Sequence, residues 1–221
     1  MSVLDNPAWH ALNGPQRDLG EVRGGAGRYR PDVSPFGGID GSDRSWDDLA
    51  ELVGTDGAVL FGVPGPVPDP WKVVGTIPCY QFVAGDLDEP RGIELVDLTP
   101  DDAGEMVELA KATNPGPFRP RTIEMGGYLG CRVDGRLVAM AGERMRPSGF
   151  GEVSAVCVLP EFRRRRLGAE LTLRVAANVR ARGDEAFLHV IKENESAVAL
   201  YRAIGFVERR ELDVVAVQRP T

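Results

Sequence analysis

The chain has 221 residues, 43% hydrophobic and 27% charged, which is enough length and apolar content to bury a substantial core. Its net charge of -7 argues against a general nucleic-acid binder, because such proteins need a basic surface to release counterions. The three cysteines are far apart and have no histidine cluster nearby, so we predict buried, reduced thiols and no metal site; the alternative is that one of them is a nucleophile. No basic region followed by an apolar run opens the sequence and no long apolar stretch occurs, so we expect a cytoplasmic chain with no membrane contact.

The first 55 residues show little regular pattern and many glycines, so we expect loops and short helices there. The segment Gly24–Gly27 follows no apolar strand and precedes no Gly-Lys-Ser/Thr, which favours a flexible loop over a phosphate-binding loop. Apolar residues at helical spacing predict a short amphipathic helix over Trp46–Val53, with Ser45 as its cap.

Two strands are predicted next, over residues 58–61 and 73–83, on either side of a proline-rich turn. The polar segment Gly85–Gly92, which carries several breakers, then predicts a domain boundary. We therefore expect a smaller N-terminal α+β unit over residues 1–90 and a second domain over residues 91–221.

The second domain is more regularly patterned. The predicted order is a strand, a helix capped by Thr99-Pro100, a hairpin closed by Asp134-Gly135, a third strand, a helix, an apolar strand, a helix and a last strand. Their respective ranges are 93–98, 103–113, 127–133, 136–143, 152–159, 167–183, 186–191, 194–204 and 211–217. The strand-helix-strand order from 152 to 191 implies a right-handed parallel crossover within a mixed sheet.

A run of four arginines, Arg163–Arg166, lies between an apolar strand and a helix. A helix N-terminus leaves backbone N–H groups unpaired and carries partial positive charge, so the junction is suited to an anion such as a phosphate. The guanidinium groups add to that potential. The alternative is a solvated arginine surface.

Two strings carry a family resemblance. Residues 156–169 read V-C-V-L-P-E-F-R-R-R-R-L-G-A, and residues 194–206 read N-E-S-A-V-A-L-Y-R-A-I-G-F. With the order of elements, they resemble the GNAT superfamily of acyl-CoA-dependent N-acyltransferases over residues 93–217. The resemblance implies an α+β GNAT fold: a mixed, mostly antiparallel sheet with a central splayed parallel pair, flanked by helices and preceded by the smaller N-terminal unit.

The resemblance also implies a set of contacts to acyl-CoA. The main chain of the first strand would hold the pantetheine arm, and the arginine turn would hold the pyrophosphate. Asn194 would contact the cofactor, cap its helix, or both. The implied contact residues are Val156, Cys157, Val158, Arg163, Arg164, Arg165, Arg166, Leu167, Gly168, Ala169, Asn194, Ala197 and Tyr201. Arg166 stands where the family usually has a glycine, so we expect ordinary backbone angles there and weaker cofactor binding.

Tyr201 is implied to be the acid that protonates the departing CoA thiolate; otherwise it is a core tyrosine. Glu152 is our first candidate for the base that accepts the amine proton, with water as the alternative, and we expect burial to raise its pKa. The competing interpretation of Glu152 is a surface carboxylate at a strand end. Glu143 and Glu124 are weaker candidates for base or substrate contact, and His189 is predicted to be a packed core histidine.

These expectations describe an N-acyltransferase that moves acetyl, or another short acyl group, from acetyl-CoA to a small amine or amino-acid-like acceptor. It would need no metal and no covalent nucleophile. The alternative is a non-catalytic acyl-CoA sensor or interaction module. A nucleotide-binding, kinase-like module that uses the arginine run is disfavoured, because no phosphate-loop lysine or metal-binding carboxylate follows it. The arrangement of the chain resembles the glycine N-acyltransferase type, in which case residues 1–90 would be a degenerate second copy of the fold, a dimerisation element of a homodimer, or a covering layer.

Overall fold

The computed structural model describes residues 2–63 and 65–219. Within them the helices are α1 (Pro7–Leu12), α2 (Ser45–Val53), α3 (Ala103–Thr113), α4 (Leu167–Ala181) and α5 (Glu195–Ala203). The strands are β1 (Gly20–Arg23), β2 (Ala26–Tyr29), β3 (Phe36–Ile39), β4 (Ala58–Phe61), β5 (Lys72–Ala84), β6 (Val96–Leu98), β7 (Tyr128–Val133), β8 (Arg136–Glu143), β9 (Phe150–Val158), β10 (Glu185–Ile191) and β11 (Phe206–Gln218). No described helix is both long and apolar enough to cross a bilayer.

The strands form one mixed sheet in the order β1-β2-β3-β4-β11-β5-β10-β9-β8-β7-β6. Strand β5, from the N-terminal part of the chain, lies between β10 and β11 and is antiparallel to both. The segment 85–95 that follows β5 contains neither helix nor strand. The backbone N–H groups of Arg91 and Gly92 nevertheless donate to the buried carboxylate of Glu170, at 2.7 and 2.9 Å. The two predicted units therefore share one sheet, and the linker between them is fixed to α4.

The central strands β9 and β10 are parallel and separate after a short contact. Residues 185–187 of β10 pair with 150–152 of β9, and the pairing then stops. Strand β9 continues along β8 as far as Val158, whereas β10 continues along β5 as far as Ile191. The two strands therefore diverge and open a cleft, which confirms the predicted splayed pair and the mostly antiparallel sheet.

The strand register decides which side chains share a face of the sheet, because paired residues point the same way. Glu152 pairs with Phe187 and so shares a face with His189. The next residue on each strand, Val153 and Leu188, points to the other face, which α4 covers. Glu152 and His189 therefore lie on the face of the sheet opposite α4, and Val153 and Leu188 lie on the face that α4 covers.

The first 55 residues differ from the prediction, since they contain strands β1, β2 and β3 as well as loops and helices. Each of these strands has four residues, too few for alternation to be visible among glycines. The segment Gly24–Gly27 includes the turn between β1 and β2 and is held by the Gly25 N–H, which donates to Asp48 at 2.9 Å. Ser45 is the first residue of α2 rather than its cap.

The regular second half matches its predicted elements closely. The hairpin β7-β8 turns at Asp134 and Gly135, whose φ angles of 50° and 80° are those of a type I′ turn. The first strand of this half is shorter than predicted, because β6 covers only Val96–Leu98, and the last is longer, because β11 begins at Phe206.

Candidate active site

The arginine turn lies at the end of β9, where the cleft is open. A short helical turn, Pro160–Phe162, precedes it, and α4 starts directly after Arg166. The expectation of ordinary backbone angles at Arg166 is wrong: its φ of 63° and ψ of 4° are left-handed, as is Arg164 at φ 62°. The Glu170 N–H donates to the Arg166 carbonyl at 3.0 Å, so the start of α4 holds the turn in the conformation that glycine favours.

A left-handed arginine is strained, which gives a first test. Arg166→Gly should raise the free energy of unfolding by about 1 kcal/mol, because an L-residue in this region costs about 1–2 kcal/mol. Urea denaturation would measure it. The matched control is Arg163→Gly, where φ is -64°. Glycine should lower stability there, because it enlarges the freedom of the unfolded chain and removes the hydrogen bond from the Arg163 Nε to the Val158 carbonyl at 3.3 Å. If the Arg166→Gly protein were no more stable than the Arg163→Gly protein, the claim that the backbone of Arg166 is strained would be wrong.

The same turn presents a row of free donors. Among the described residues, no group accepts a hydrogen bond from the backbone N–H groups of residues 164–169. The four arginine side chains beside them are exposed; Arg165 lies over the ring of Phe162 at 5.0 Å. Several converging N–H donors, a helix N-terminus and added positive charge fit a phosphate or pyrophosphate.

A bulge interrupts β9 inside the cleft. The register along β8 jumps from Gly142 opposite Ser154 to Met140 opposite Cys157, and Ala155 has a φ of 53°. A bulge leaves its extra residue outside the ladder and redirects the strand. The backbone from Ala155 onward therefore lacks β10 on one side and is interrupted along β8 on the other, which exposes main-chain groups to the cleft.

The cysteines offer no nucleophile here. Cys157 is buried, and burial raises the pKa of its thiol to about 11, so the thiol stays protonated. Cys79 and Cys131 are also buried and free, which confirms the prediction of reduced, buried thiols.

Helix α5 stands beside the arginine turn. A Cβ added at Gly168 would lie 3.5 Å from Leu200 and 3.9 Å from Val156, so α4, α5 and β9 meet at this glycine. The Asn194 side chain accepts from the Ala197 N–H at 3.2 Å, which confirms the capping interpretation. The two strings quoted from the sequence are therefore adjacent in space.

Tyr201 lies two turns into α5 and is buried at 8% exposure. Its ring packs against Phe82 and Phe206, with centroids 6.5 and 6.2 Å away. Burial raises the pKa of its phenol to about 12, so it remains protonated at neutral pH. No hydrogen bond to its hydroxyl is found among the described residues, and the phenol keeps its proton.

Glu152 is fully buried on the other face of the sheet. Its oxygens accept from the Arg144 Nε and Nη2 at 2.8 and 2.6 Å, from the Met145 N–H at 3.2 Å, and lie 2.7 Å from the His189 Nδ1. Burial opposes ionisation, but the Arg144 guanidinium outweighs it and lowers the pKa of Glu152 to about 2. The predicted rise of the Glu152 pKa is wrong, because the carboxylate is paired with Arg144. The alternative interpretation of Glu152 as a surface carboxylate is also wrong, because its side chain is fully buried.

His189 extends this buried network. Burial lowers the pKa of its imidazole, so the ring is neutral and its Nδ1–H donates to Glu152. Its Nε2 then accepts from the Gln81 amide at 2.9 Å, and Gln81 also donates to the Leu4 carbonyl at 2.8 Å. His189 is a packed core histidine, as predicted, and it links β10 to the N-terminal segment.

The two weaker carboxylate candidates are also paired with arginines. Glu143 is buried and bound by both Nη atoms of Arg182 at 2.8 and 2.6 Å. Glu124 is an exposed residue of the short helical turn Thr122–Met125 and accepts from Arg121 at 2.5 and 2.8 Å. Both carboxylates are therefore engaged in ion pairs with arginines.

Sequence reasoning missed two residues of this region, Arg144 and Tyr128. Arg144 lies one residue past β8, with its guanidinium over the ring of Phe36 at 4.8 Å. An arginine directly after an apolar strand was the available signal for a buried partner of Glu152. Tyr128 begins β7, and its hydroxyl is buried without a partner among the described residues. Nothing in its sequence context distinguishes it from a core tyrosine.

Comparison with known proteins agrees with this geometry. The family described as FR47-like protein matches residues 128–215. A solved structure from Novosphingobium aromaticivorans DSM 12444, described as an acetyltransferase of the GNAT family, is 37% identical, with a TM-score of 0.90 and 100% of both chains covered.

Two curated relatives add shorter or less complete matches. An uncharacterised protein of Mycobacterium leprae is 30% identical over 210 residues, covering 81% of this chain and 58% of that protein. The N-alpha-acetyltransferase RimI of Mycobacterium tuberculosis is 39% identical over 83 residues, covering 36% of this chain and 51% of that protein. The chain thus spans a little over half the length of these curated relatives. With a solved relative that it matches over the whole length at 37% identity, the chain belongs to the GNAT family of acetyltransferases.

Proposed function

We propose that the chain transfers an acetyl or other short acyl group from acyl-CoA directly to the amine of a small or amino-acid-like acceptor. The observation that carries this proposal is the splayed cleft between β9 and β10, with an anion-binding turn at its open end and a protonated tyrosine beside it.

The described residues fit acyl-CoA at two points. The N–H groups of residues 164–169, with the guanidinium groups of Arg163–Arg166, bind the pyrophosphate. The main chain of Val156–Val158 faces the gap that β10 leaves and pairs with the pantetheine arm as a strand would. The side chains of these three residues pack in or against the hydrophobic core.

The chemistry needs one acid and one proton acceptor. Main-chain N–H groups at the bulge polarise the thioester carbonyl, while the amine nitrogen bonds to its carbon and the carbon–sulfur bond breaks. Tyr201 donates its phenolic proton to the departing thiolate. The nitrogen loses its extra proton to water, and Tyr201 regains a proton from solvent.

Glu152 does not suit the role of proton acceptor. Its pKa of about 2 keeps it ionised but a very weak base, and Arg144, His189 and the Met145 N–H occupy its oxygens. We propose water as the acceptor. Glu152 instead fixes Arg144 and His189 on the face of the cleft opposite α4.

The alternative, a non-catalytic acyl-CoA sensor, draws on the arginine at the usual glycine position. The left-handed backbone at Arg166 weakens that argument, since the turn adopts the conformation that glycine favours although the residue is arginine.

Residues 1–90 suit a covering layer that walls the acceptor side: Leu4, Phe36 and Phe61 form one cluster with Phe187 on the Glu152 face of the sheet. Membership of the glycine N-acyltransferase branch, and a homodimer, remain proposals.

One experiment separates these functions. The chain is incubated with acetyl-CoA and a panel of amines, amino acids and short peptides while free thiol is followed, and CoA and ATP binding are measured by calorimetry. We expect CoA to bind more tightly than ATP and at least one amine to release thiol. Tight CoA binding without thiol release across the panel would favour the sensor. Tighter binding of ATP would contradict an acyl-CoA site altogether.

A further inference from the structure

The hydroxyl of Tyr128 is a buried polar group on the central sheet that has no role in the proposed reaction. It has no hydrogen-bond partner among the described residues, although Tyr128 is only 2% exposed. A buried hydroxyl without a partner is unfavourable, and native proteins seldom keep one without a reason. Burial also raises the pKa of this phenol, so the hydroxyl keeps its proton.

The register places the Tyr128 side chain in a row that leads to the bulge. Tyr128 pairs with Gly142 on β8, and Gly142 pairs with Ser154 on β9. A Cβ at Gly142 would overlap the Tyr128 ring, so the ring lies across this glycine. The Tyr128 ring therefore lies in the row of paired residues that leads across Gly142 to Ser154, the residue before the bulge.

Tyr128 and Tyr201 approach the cleft from opposite faces. Glu143, the neighbour of Gly142, points to α4, where it binds Arg182; Gly142 and the Tyr128 ring are thus on the other face. Tyr201 packs on Phe82, which pairs with Leu188 and lies on the α4 face. The arginine turn and α5 belong to the α4 face as well.

The surroundings of the hydroxyl are polar but already paired. Arg144 and Glu152 share its face of the sheet and bind each other, and Phe118 packs edge-on against the ring at 5.8 Å. Because those charged groups satisfy one another, they do not give the Tyr128 hydroxyl a partner.

We infer that the Tyr128 hydroxyl binds the acceptor amine. This inference rests on the proposed function. The phenolic oxygen accepts an N–H hydrogen bond from the amine and so directs the nitrogen lone pair at the thioester carbon beside the bulge. Gly142 is part of this arrangement, since any side chain there would displace the ring.

Tyr128→Phe tests the inference, with Tyr29→Phe as the matched control. Tyr29 is an equally buried tyrosine, but its hydroxyl donates to the Gln16 side chain at 2.6 Å. Tyr128→Phe should melt at or above the wild-type temperature and bind acetyl-CoA with a Kd within about twofold of wild type. Its kcat/KM for the acceptor amine should fall about 10- to 100-fold. Tyr29→Phe should melt lower and lose less than about threefold in kcat/KM.

Three results would overturn the inference. They are a kcat/KM for Tyr128→Phe within about twofold of wild type, a loss of melting temperature as large as that of Tyr29→Phe, and an acetyl-CoA Kd weakened as much as kcat/KM. The first result, obtained while the wild type is active, would refute the role of Tyr128 and leave the proposed function intact. A wild-type chain that binds acetyl-CoA but releases no thiol with any amine would refute the proposed function and the role of Tyr128 together.

Discussion

Tyr201→Phe is expected to lower kcat for acyl transfer by about 100-fold or more, because general acid catalysis contributes about 10²–10⁴. The Kd for acetyl-CoA should stay close to wild type, since the ring and its contacts with Phe82 and Phe206 are kept. The melting temperature should stay near that of the wild type, because no hydrogen bond to this hydroxyl is found among the described residues. Thiol release at saturating acetyl-CoA and amine measures the rate.

The control for this variant is Tyr80→Phe on β5. Tyr80 is a partly exposed tyrosine whose ring lies 6.1 Å from Phe82, so it shares the aromatic neighbourhood of Tyr201 but has no proposed chemical role. Pre-steady-state thiol release would show whether chemistry limits turnover. An unchanged chemical step in Tyr201→Phe would mean that another group protonates the thiolate.

Glu152→Ala is expected to destabilise the fold by about 3–5 kcal/mol, because it leaves the guanidinium of Arg144 buried without its partner. The Arg144 side chain is only 12% exposed and that of Glu152 is fully buried. Glu161→Ala is the matched control: its pair with Arg136 is exposed and 3.4 Å long, and such surface pairs are worth about 0–1 kcal/mol. Urea denaturation of both variants gives the comparison, and similar losses for the two would contradict the buried network.

The same pair predicts acid sensitivity. Folding lowers the pKa of Glu152 from 4.5 to about 2, so the folded state holds this proton less tightly than the unfolded chain does. The resulting stabilisation, about 3 kcal/mol, is fully present above pH 4.5 and is lost as the pH falls from there towards 2. Glu152→Gln should lack this part of the pH dependence. Equal slopes of unfolding free energy against pH for Glu152→Gln and wild type would contradict the assignment.

The C-terminal half of the fold was predictable from sequence because its signals are local. The Asp134-Gly135 turn, the breaker before the arginine run and the apolar stripe of α4 each mark an element within a few residues. The cleft could be predicted because two short motifs, residues 156–169 and 194–206, form parts of its two sides. The first motif contains the arginine turn and the second contains Tyr201.

The remaining features depend on contacts between residues that are distant in sequence. Strand β5 pairs with β10 and β11, which follow it by roughly half the length of the chain or more, and no local pattern encodes this pairing. The pKa of Glu152 follows from its pairing with Arg144, where burial alone would have raised it. The backbone of Arg166 follows from the packing of α4, which imposes a left-handed turn that the residue type does not favour.

Hydrogen–deuterium exchange with and without acetyl-CoA tests most directly where acyl-CoA binds. Residues 155–158 and 164–169 present main-chain N–H groups in the cleft and in the arginine turn. The predicted result is slower exchange in these two segments when acetyl-CoA is added, and little change in β1, β2 and β3. Slower exchange elsewhere, such as around the cavity of about 420 Å³ between Arg28, Asp56 and Arg119, with none in the two segments, would contradict the account.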